Sequence, residues 1–371
     1  MKYLTITDKE NHTKADISDF CIEGGVSEYH VIIQITETTL SFSEQLCSIF
    51  KSFGKLCNNE LRDTTIVFQR FFLSDAANQS ELLSIYLPEN KNNISIIEQP
   101  PLNGTKIAFW AYLLKRKHYR GKYNHLWQCT AISPKGNSGS QMRTLLNEYI
   151  EQLKKYNCTL FDNCIRTWIF VQNVDVNYAG IVKARKEIFA ENGLTEKTHY
   201  IASTGIDGRH NDKDALVIFD SYAIDGIQKE QIQYLFAKTH LSPTHKYGVT
   251  FERGTCVHYG DRSQVFISGT ASINNEGEIL HEGNLEKQAG RMFENVEALL
   301  KEAECKFEDM AQMIIYLRDI ADYQNAKNIV EQRFPLTPKV IVLAPVCRPG
   351  WLIEMECIAI RKNIDERFES F

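Results

Sequence analysis

The 371-residue chain contains one pattern of segments three times, and this internal repeat constrains its fold more than any other feature. In the last third the order strand, helix, strand, helix, strand, strand is carried by QVFISGTASI, LEKQAGRMFENVEALLKEA, AQMIIYLRD, ADYQNAKNIVEQRF, PKVIVLAPV and WLIEMECIAI. The middle third repeats this order from HLWQCTAI to ALVIFDSYAI, and the first third repeats it more loosely from HVIIQITET to KIAFWAYLLK. The segments predict three modules, at residues 1–115, 116–240 and 241–371.

Each module should be an α+β unit in which a mixed β-sheet carries two helices on one face. The strand segments are short and rich in β-branched residues, and the helical segments place apolar residues at near-helical spacing. The other face of each sheet also needs cover from water. Three sheets around a threefold axis can cover one another, so we predict an intramolecular pseudo-trimer. We expect a monomer, and further association is left open.

The net charge, the hydrophobicity and the cysteine content limit the kinds of partner and the location that the sequence predicts. A formal net charge of −5 offers no general attraction to polyphosphate, so no nucleic-acid partner is expected, and a basic run at 115–120 is better explained as a solvated hairpin tip. A membrane span needs a run of about 20 apolar residues, and the sequence has no such run. The polar start MKYLTITDKENHTKAD does not resemble a signal peptide, so a cytoplasmic location is expected. The ten cysteines form no CxxC pair, and neither a metal nor a cofactor is predicted.

The third module contains the segment FISGTASINNEGEILHEGNLEKQ, the helices and strand that follow it, and the segment APVCRPGWLIEMECIAI. In these segments the module resembles the RidA/YjgF superfamily, whose modules have a chorismate mutase-like fold. It implies that Arg348, ahead of the last strand, binds a substrate carboxylate and that Glu354 of the E-x-E motif serves the chemistry. The loop between these two residues is shorter than in the imine deaminases of the superfamily.

Four further features are the segments CIRTWIFVQNVDVNYAGIVKARKEIF, IASTGIDGRH and THKYGVTFERG and the C-R-x-x-x-L-x-E-x-E pattern of the last strand. They give a closer resemblance to the chorismatase family, in which a degenerate Rid-like amino-terminal part precedes a Rid-like carboxy-terminal domain. The resemblance implies that Gly269 and Cys347 line the pocket wall, as in members that form 3-hydroxybenzoate. Without the resemblance, Gly269 could be only a close-approach glycine in a strand and Cys347 only a small buried hydrophobe. Cys347 is also a candidate catalytic residue, although no base that would activate its thiol can be placed beside it.

The candidate acid is Glu354. Strand alternation sends Glu354 and Glu356 to the same face, where two carboxyl groups in a dry site cannot both ionise freely. A protonated carboxylic acid is what acid catalysis on the enol ether of chorismate requires. At the position of Glu354 the first module has Ala108 and the second has Ile218. Only one of the three equivalent positions therefore carries a carboxyl group. A solvated glutamate on an exposed strand face is the alternative.

The remaining candidates are expected to bind substrate. Arg166 begins a strand in the second module, and the chorismatase resemblance implies that it meets the second carboxylate of a dianionic substrate from the neighbouring module. The alternative is a strand-end charge. Thr204 and Gly205 offer a hydroxyl and a backbone amide across an intermodule cleft, although such a turn is often just a hairpin connection. Tyr247 could close the site or be a packed aromatic.

Three functions follow from these residues. The first is a chorismatase-like enzyme that releases pyruvate from chorismate and leaves a hydroxybenzoate or a dihydrodiol acid. The second is a Rid-type deaminase, in which Glu354 activates water against an imine whose carboxylate is bound by Arg348. The third is a non-catalytic binder of small metabolites. Endoribonuclease activity finds little support in an acidic chain without a basic stripe.

Overall fold

The structure, a computed structural model, describes residues 1–116 and 121–371. The basic run predicted to form a hairpin tip therefore lies largely outside the described residues. Within them, no helix is long and apolar enough to cross a membrane.

The first module forms a six-stranded mixed sheet in the order β1-β2-β3-β6-β4-β5. Its elements are β1 (Lys2–Asp8), β2 (Thr13–Phe20), β3 (Ser27–Ile35), α1 (Phe42–Asn58), β4 (Thr65–Leu73), α2 (Ala76–Ile85), β5 (Ile94–Glu98) and β6 (Ile107–Lys115). Strands β4 and β5 are parallel, while the other pairings are antiparallel. The capping box of Ser41 and Glu44 fixes the start of α1.

The second module forms a four-stranded sheet in the order β7-β10-β8-β9. Its elements are β7 (Asn124–Ile132), α3 (Ser138–Lys154), α4 (Leu160–Asn163), β8 (Cys164–Val171), α5 (Val174–Glu191), β9 (Ala202–Asp207) and β10 (Val217–Asp225). Helices α3 and α5 pack against each other on one side of this sheet.

The third module again has six strands, in the order β11-β12-β13-β16-β14-β15. Its elements are β11 (Ile232–Leu235), β12 (Gly254–His258), β13 (Arg262–Ala271), α6 (Leu285–Glu302), β14 (Met310–Leu317), α7 (Tyr323–Arg333), β15 (Lys339–Leu343) and β16 (Ile353–Lys362). The module boundaries at 115/116 and 240/241 stay a prediction, and β11, which precedes residue 241, is hydrogen-bonded within the third sheet.

Both faces of each sheet are buried, against different partners. Along β6, Phe109 and Ala111 pack under α1 in the first module's own core, while Ala108 and Trp110 point into a core shared by all three modules. Strand β10 alternates in the same way, because Phe219 faces the helices and Ile218 faces the shared core. The shared core confirms the predicted α+β pseudo-trimer.

A ring of backbone hydrogen bonds closes around the pseudo-threefold axis. The last residue of each parallel edge strand, β5, β9 or β15, donates its amide to the segment that follows the corresponding edge strand of the next module in cyclic order. These bonds are Glu98 N to Arg209 O (2.9 Å), Asp207 N to Pro345 O (3.1 Å) and Leu343 N to Pro100 O (2.9 Å). At these points the end of each parallel edge strand is paired within the chain and is not open to a foreign strand.

Buried charges also join the modules. Arg70 of the first module lies 3.0 Å from Asp220 of the second, and Arg166 of the second lies 2.8 Å from Glu356 of the third. All four side chains are at most 2 % exposed. A buried ion pair contributes little net stability when intact, but it penalises the loss of one partner heavily, because the other charge stays buried.

Asp220→Ala should therefore destabilise the whole chain, since it removes the nearest carboxylate from the Arg70 guanidinium in the shared core and leaves only Glu356, 3.9 Å away. We expect the free energy of unfolding to fall by about 3–5 kcal/mol in urea denaturation. Glu151→Ala, which breaks an exposed pair with Lys154, serves as the control and should change it by less than about 1 kcal/mol. Equal effects of the two substitutions would show that the buried pair does not hold the modules together.

Candidate functional site

A cavity of about 490 Å³ lies between the second and third modules. Helix α5 and strand β9 form one wall, the segment before β12 forms the floor, and β13, β16 and the turn before β16 form the opposite wall. The volume is in the range of small-molecule sites. Its polar and aromatic lining includes Tyr178, Lys183, Arg185, Ser203, Arg253, Arg348, Trp351 and Glu354.

Glu354 lines this cavity from the centre of the third sheet. On β16 it pairs with Ala271 of β13 and Tyr316 of β14, and its side chain is only 5 % exposed. Burial, reinforced by the negative charge of Glu356, raises the pKa of Glu354 to about 8. At neutral pH the cavity therefore presents a carboxylic acid and not a carboxylate.

Glu356 has the opposite environment, although it lies two residues away on the same face. Trp168 Nε1 donates to its Oε1 at 2.8 Å, and Arg166 Nη2 donates to its Oε2 at 2.8 Å. Thr204 Oγ1 also donates to Oε2. The donors all come from the second module, so Glu356 is a structural carboxylate whose charge favours the protonated form of its neighbour.

Gly269 makes room for the acid. The register of β13 against β16 shifts between Ile267 and Thr270, a bulge that brings the Gly269 backbone against the Glu354 side chain. A Cβ atom on Gly269 would collide with Oε1 of Glu354 and lie 2.9 Å from its Cδ. The Gly269 amide also donates to Thr204 Oγ1 at 2.9 Å. A side chain at this position would therefore displace the carboxyl group of Glu354 from the place it occupies.

Cys347 and Arg348 lie on the turn before β16, and both line the cavity. Burial, followed by the negative charge of Glu354, raises the pKa of the Cys347 thiol to about 12. A thiol that stays protonated is a poor nucleophile, so the geometry supports Cys347 as pocket wall more than as a catalytic group. The Cζ atom of Arg348 lies 4.9 Å from the centre of the Trp351 ring, and its Nη1 donates to Gly277 O at 2.9 Å.

Two of the predicted binding residues, Arg166 and Thr204, lie behind the cavity wall and do not line the cavity. Arg166 is 1 % exposed, and its guanidinium donates to Ser268, Thr204 and Glu356. This departs from the prediction that Arg166 binds a substrate carboxylate, because its positive charge is already committed to Glu356. Thr204 likewise supports Glu356 and the Gly269 bulge, whereas Gly205 does line the cavity.

Gly205 lets Tyr178 approach closely, since a Cβ atom there would lie 2.9 Å from Cε2 of that ring. The side chain of Tyr247, which was predicted to close the site, lies outside the described residues.

Arg185 and Arg253 are two charged cavity residues that the sequence analysis did not single out. Arg185 on α5 is 2 % exposed, and its Nε donates to Thr250 Oγ1 at 3.2 Å. Arg253 is 4 % exposed, and its Nη2 donates to Ser242 O at 3.0 Å. Both stand in segments quoted for the chorismatase resemblance, KARKEIF and THKYGVTFERG. Nothing in the local sequence distinguishes them from surface arginines, and Arg185 is held by a hydroxyl group of the third module.

Comparison with known proteins agrees with this architecture. Residues 255–361 match the family described as endoribonuclease L-PSP. A RutC family protein of Pyrococcus abyssi is 32 % identical over 101 residues, which are 26 % of this chain and 79 % of that protein. The 3-aminoacrylate deaminase RutC of Acinetobacter baylyi is 26 % identical over 97 residues, 26 % of this chain and 77 % of the deaminase.

The chain belongs to the Rid/YjgF superfamily, which includes the L-PSP and RutC proteins. A chorismatase crystal structure superimposes with a TM-score of 0.63 and 15 % identity, covering 80 % of this chain and 93 % of the chorismatase. The arrangement of three modules is therefore a chorismatase-like fold.

The raised pKa of Glu354 makes the stability of the protein depend on pH. The unfolded chain releases this proton near pH 4.5 and the folded chain near pH 8, so wild-type stability falls as the pH rises between those values. Glu354→Gln removes this penalty. The variant should gain stability over wild type by at least about 1.4 kcal/mol between pH 5 and pH 9, with no further gain above.

Urea denaturation at pH 5, 7 and 9 measures the difference. Glu276→Gln, at an exposed position on the turn before α6, is the matched control and should differ from wild type by less than about 0.5 kcal/mol at each pH. A constant difference between Glu354→Gln and wild type across this range would show that Glu354 titrates normally.

Proposed function

We propose that the protein is a chorismatase-like enzyme that removes pyruvate from chorismate by acid catalysis. The observation that carries the proposal is a protonated glutamate, Glu354, in a cavity that buried arginines also line. An enol ether is cleaved after a proton is added to its terminal carbon, and a carboxylic acid with a pKa near the working pH is suited to donate it. The product is a hydroxybenzoate, or a dihydrodiol acid when water is added.

Charge complementarity supports a dianionic substrate. Arg185 from the second module and Arg253 and Arg348 from the third reach the same cavity, with Lys183 on its wall. A guanidinium binds a carboxylate through two parallel hydrogen bonds. In this proposal Arg253 and Arg185 take the place first assigned to Arg166, while Arg348 keeps its assigned role.

The cavity-wall residues Gly269 and Cys347 indicate which product is formed. The chorismatase members that form 3-hydroxybenzoate have glycine and cysteine where this chain has Gly269 and Cys347, so 3-hydroxybenzoate is the product we propose. The thiol of Cys347 acts here as a neutral wall beside the acid, in agreement with its raised pKa.

Purified protein incubated with chorismate should release pyruvate, measured by coupling to lactate dehydrogenase. Glu354→Gln should lower kcat by about 10²–10⁴-fold, the usual contribution of a general acid. The kcat/KM of the wild type should fall as the pH rises through about 8, because the acid form is lost there. Glu276→Gln should retain wild-type activity. Absence of pyruvate, or equal rates for wild type and Glu354→Gln, would reject the proposal.

Arg185→Gln and Arg253→Gln test the binding of the two carboxylates. Each should raise KM for chorismate by about 10-fold or more, since a charge-assisted hydrogen bond contributes roughly 1.5–3 kcal/mol. Arg209→Gln, which removes a half-exposed guanidinium away from the cavity, is the control and should leave KM unchanged. An unchanged KM in both cavity variants would show that other groups hold the carboxylates.

The similarity to a 3-aminoacrylate deaminase supports a second candidate function. In a Rid-type deaminase, Glu354 would activate water and Arg348 would bind the imine's carboxylate. Ammonia release from 2-iminopropanoate that is lost in Arg348→Gln would favour it. Thermal stabilisation by chorismate without turnover would instead indicate a non-catalytic binder.

A further inference from the structure

Tyr316 lies on β14 directly opposite Glu354 of β16, so both side chains leave the sheet on the same face. The tyrosine is fully buried. Within residues 1–116 and 121–371, its hydroxyl has no hydrogen-bond partner. A buried hydroxyl without a partner destabilises a fold, so a tyrosine at this place calls for a reason other than packing.

The other two modules show that packing does not need the hydroxyl. The same pairing register places Phe72 opposite Ala108 in the first module and Phe170 opposite Ile218 in the second. Both phenylalanines are fully buried, as Tyr316 is. The phenol therefore occurs in the one module that has the acid, and phenylalanine fills the position where the acid is missing.

The surroundings of Tyr316 connect the acid to the buried ion pairs. The charges that act on its hydroxyl are those of Glu356, Arg70, Arg166 and Glu354. The groups that face Glu354 itself are Glu356 on its own strand, Tyr316 on β14, Arg166 on β8, Arg253 before β12 and Cys347 before β16. Of these groups, the phenol of Tyr316 is an uncharged oxygen donor whose hydroxyl is not already engaged.

We propose that Tyr316 is a positioning residue for Glu354, and that its hydroxyl donates a hydrogen bond to the carboxylate that remains once the acid has given up its proton. The proposal rests on the role of Glu354 as acid in the proposed function. The proton passes from Glu354 to the substrate carbon, and the O–H bond of Tyr316 stays intact throughout. A hydrogen bond to the ionised form favours that form, so the phenol makes Glu354 a stronger acid than burial alone would allow.

Tyr316→Phe tests this directly, because phenylalanine is the residue that the other two modules have at this position. Carbon-13 NMR of protein labelled at the glutamate carboxyl carbons follows the titration of Glu354, and Glu354→Gln identifies its signal. The titration midpoint should rise by about one pH unit in Tyr316→Phe. Tyr149→Phe, which removes a buried hydroxyl that contacts Cys164 in the second module's own core, should leave the midpoint unchanged.

A midpoint for Tyr316→Phe within about 0.2 units of wild type would overturn the proposal, as would an equal rise in Tyr149→Phe. The titration needs no substrate, so it stands even if the wild type releases no pyruvate from chorismate. With turnover, the fall of kcat/KM at high pH should move upward by the same amount in Tyr316→Phe, and kcat should drop about 10-fold. A merely structural hydroxyl would move neither the titration nor the pH profile.

Discussion

The ion pair between Arg166 and Glu356 is the interaction on which both the assembly and the site depend. It joins the second module to the third inside a core without access to water, where each charge needs the other. It also fixes a negative charge two residues from Glu354 on the same strand face, and this charge adds to burial in keeping the proton on the acid. The contact that holds two modules together thus also sets the chemistry of the cavity between them.

The three modules use equivalent positions for different purposes. Where the third module has Glu356, the pairing registers give the first Trp110 and the second Asp220, and all three side chains are buried. Asp220 is paired with Arg70, whose guanidinium lies about 5 Å from the rings of several aromatic residues. A homotrimer would have to place the same residue at each of these positions. Three non-identical copies allow one site to be specialised while the other two serve the core.

The repeat in the sequence predicted the three sheets, their main helices and the blank counterparts of Glu354, because strand and helix periodicity is a local property. The outer strands β1 and β2 were missed, since they lie outside the repeated pattern. Arg253 was overlooked, and so was Arg185, while Arg166 was assigned to substrate. For Arg166 and Arg185 the physical reason is the same, because the hydrogen-bond partners lie 190 and 65 residues away in the chain, and no local sequence pattern reveals such a partner.

The ring of backbone hydrogen bonds that links the edge strands has a consequence for working conditions. In an assembly of separate subunits, such a ring would open on dilution, and a site shared by two subunits would be lost with it. Here the three partners are parts of one polypeptide, so each meets the next at a high effective concentration fixed by the connecting segments. The intermodule cavity should accordingly persist at any protein concentration, however scarce the protein is.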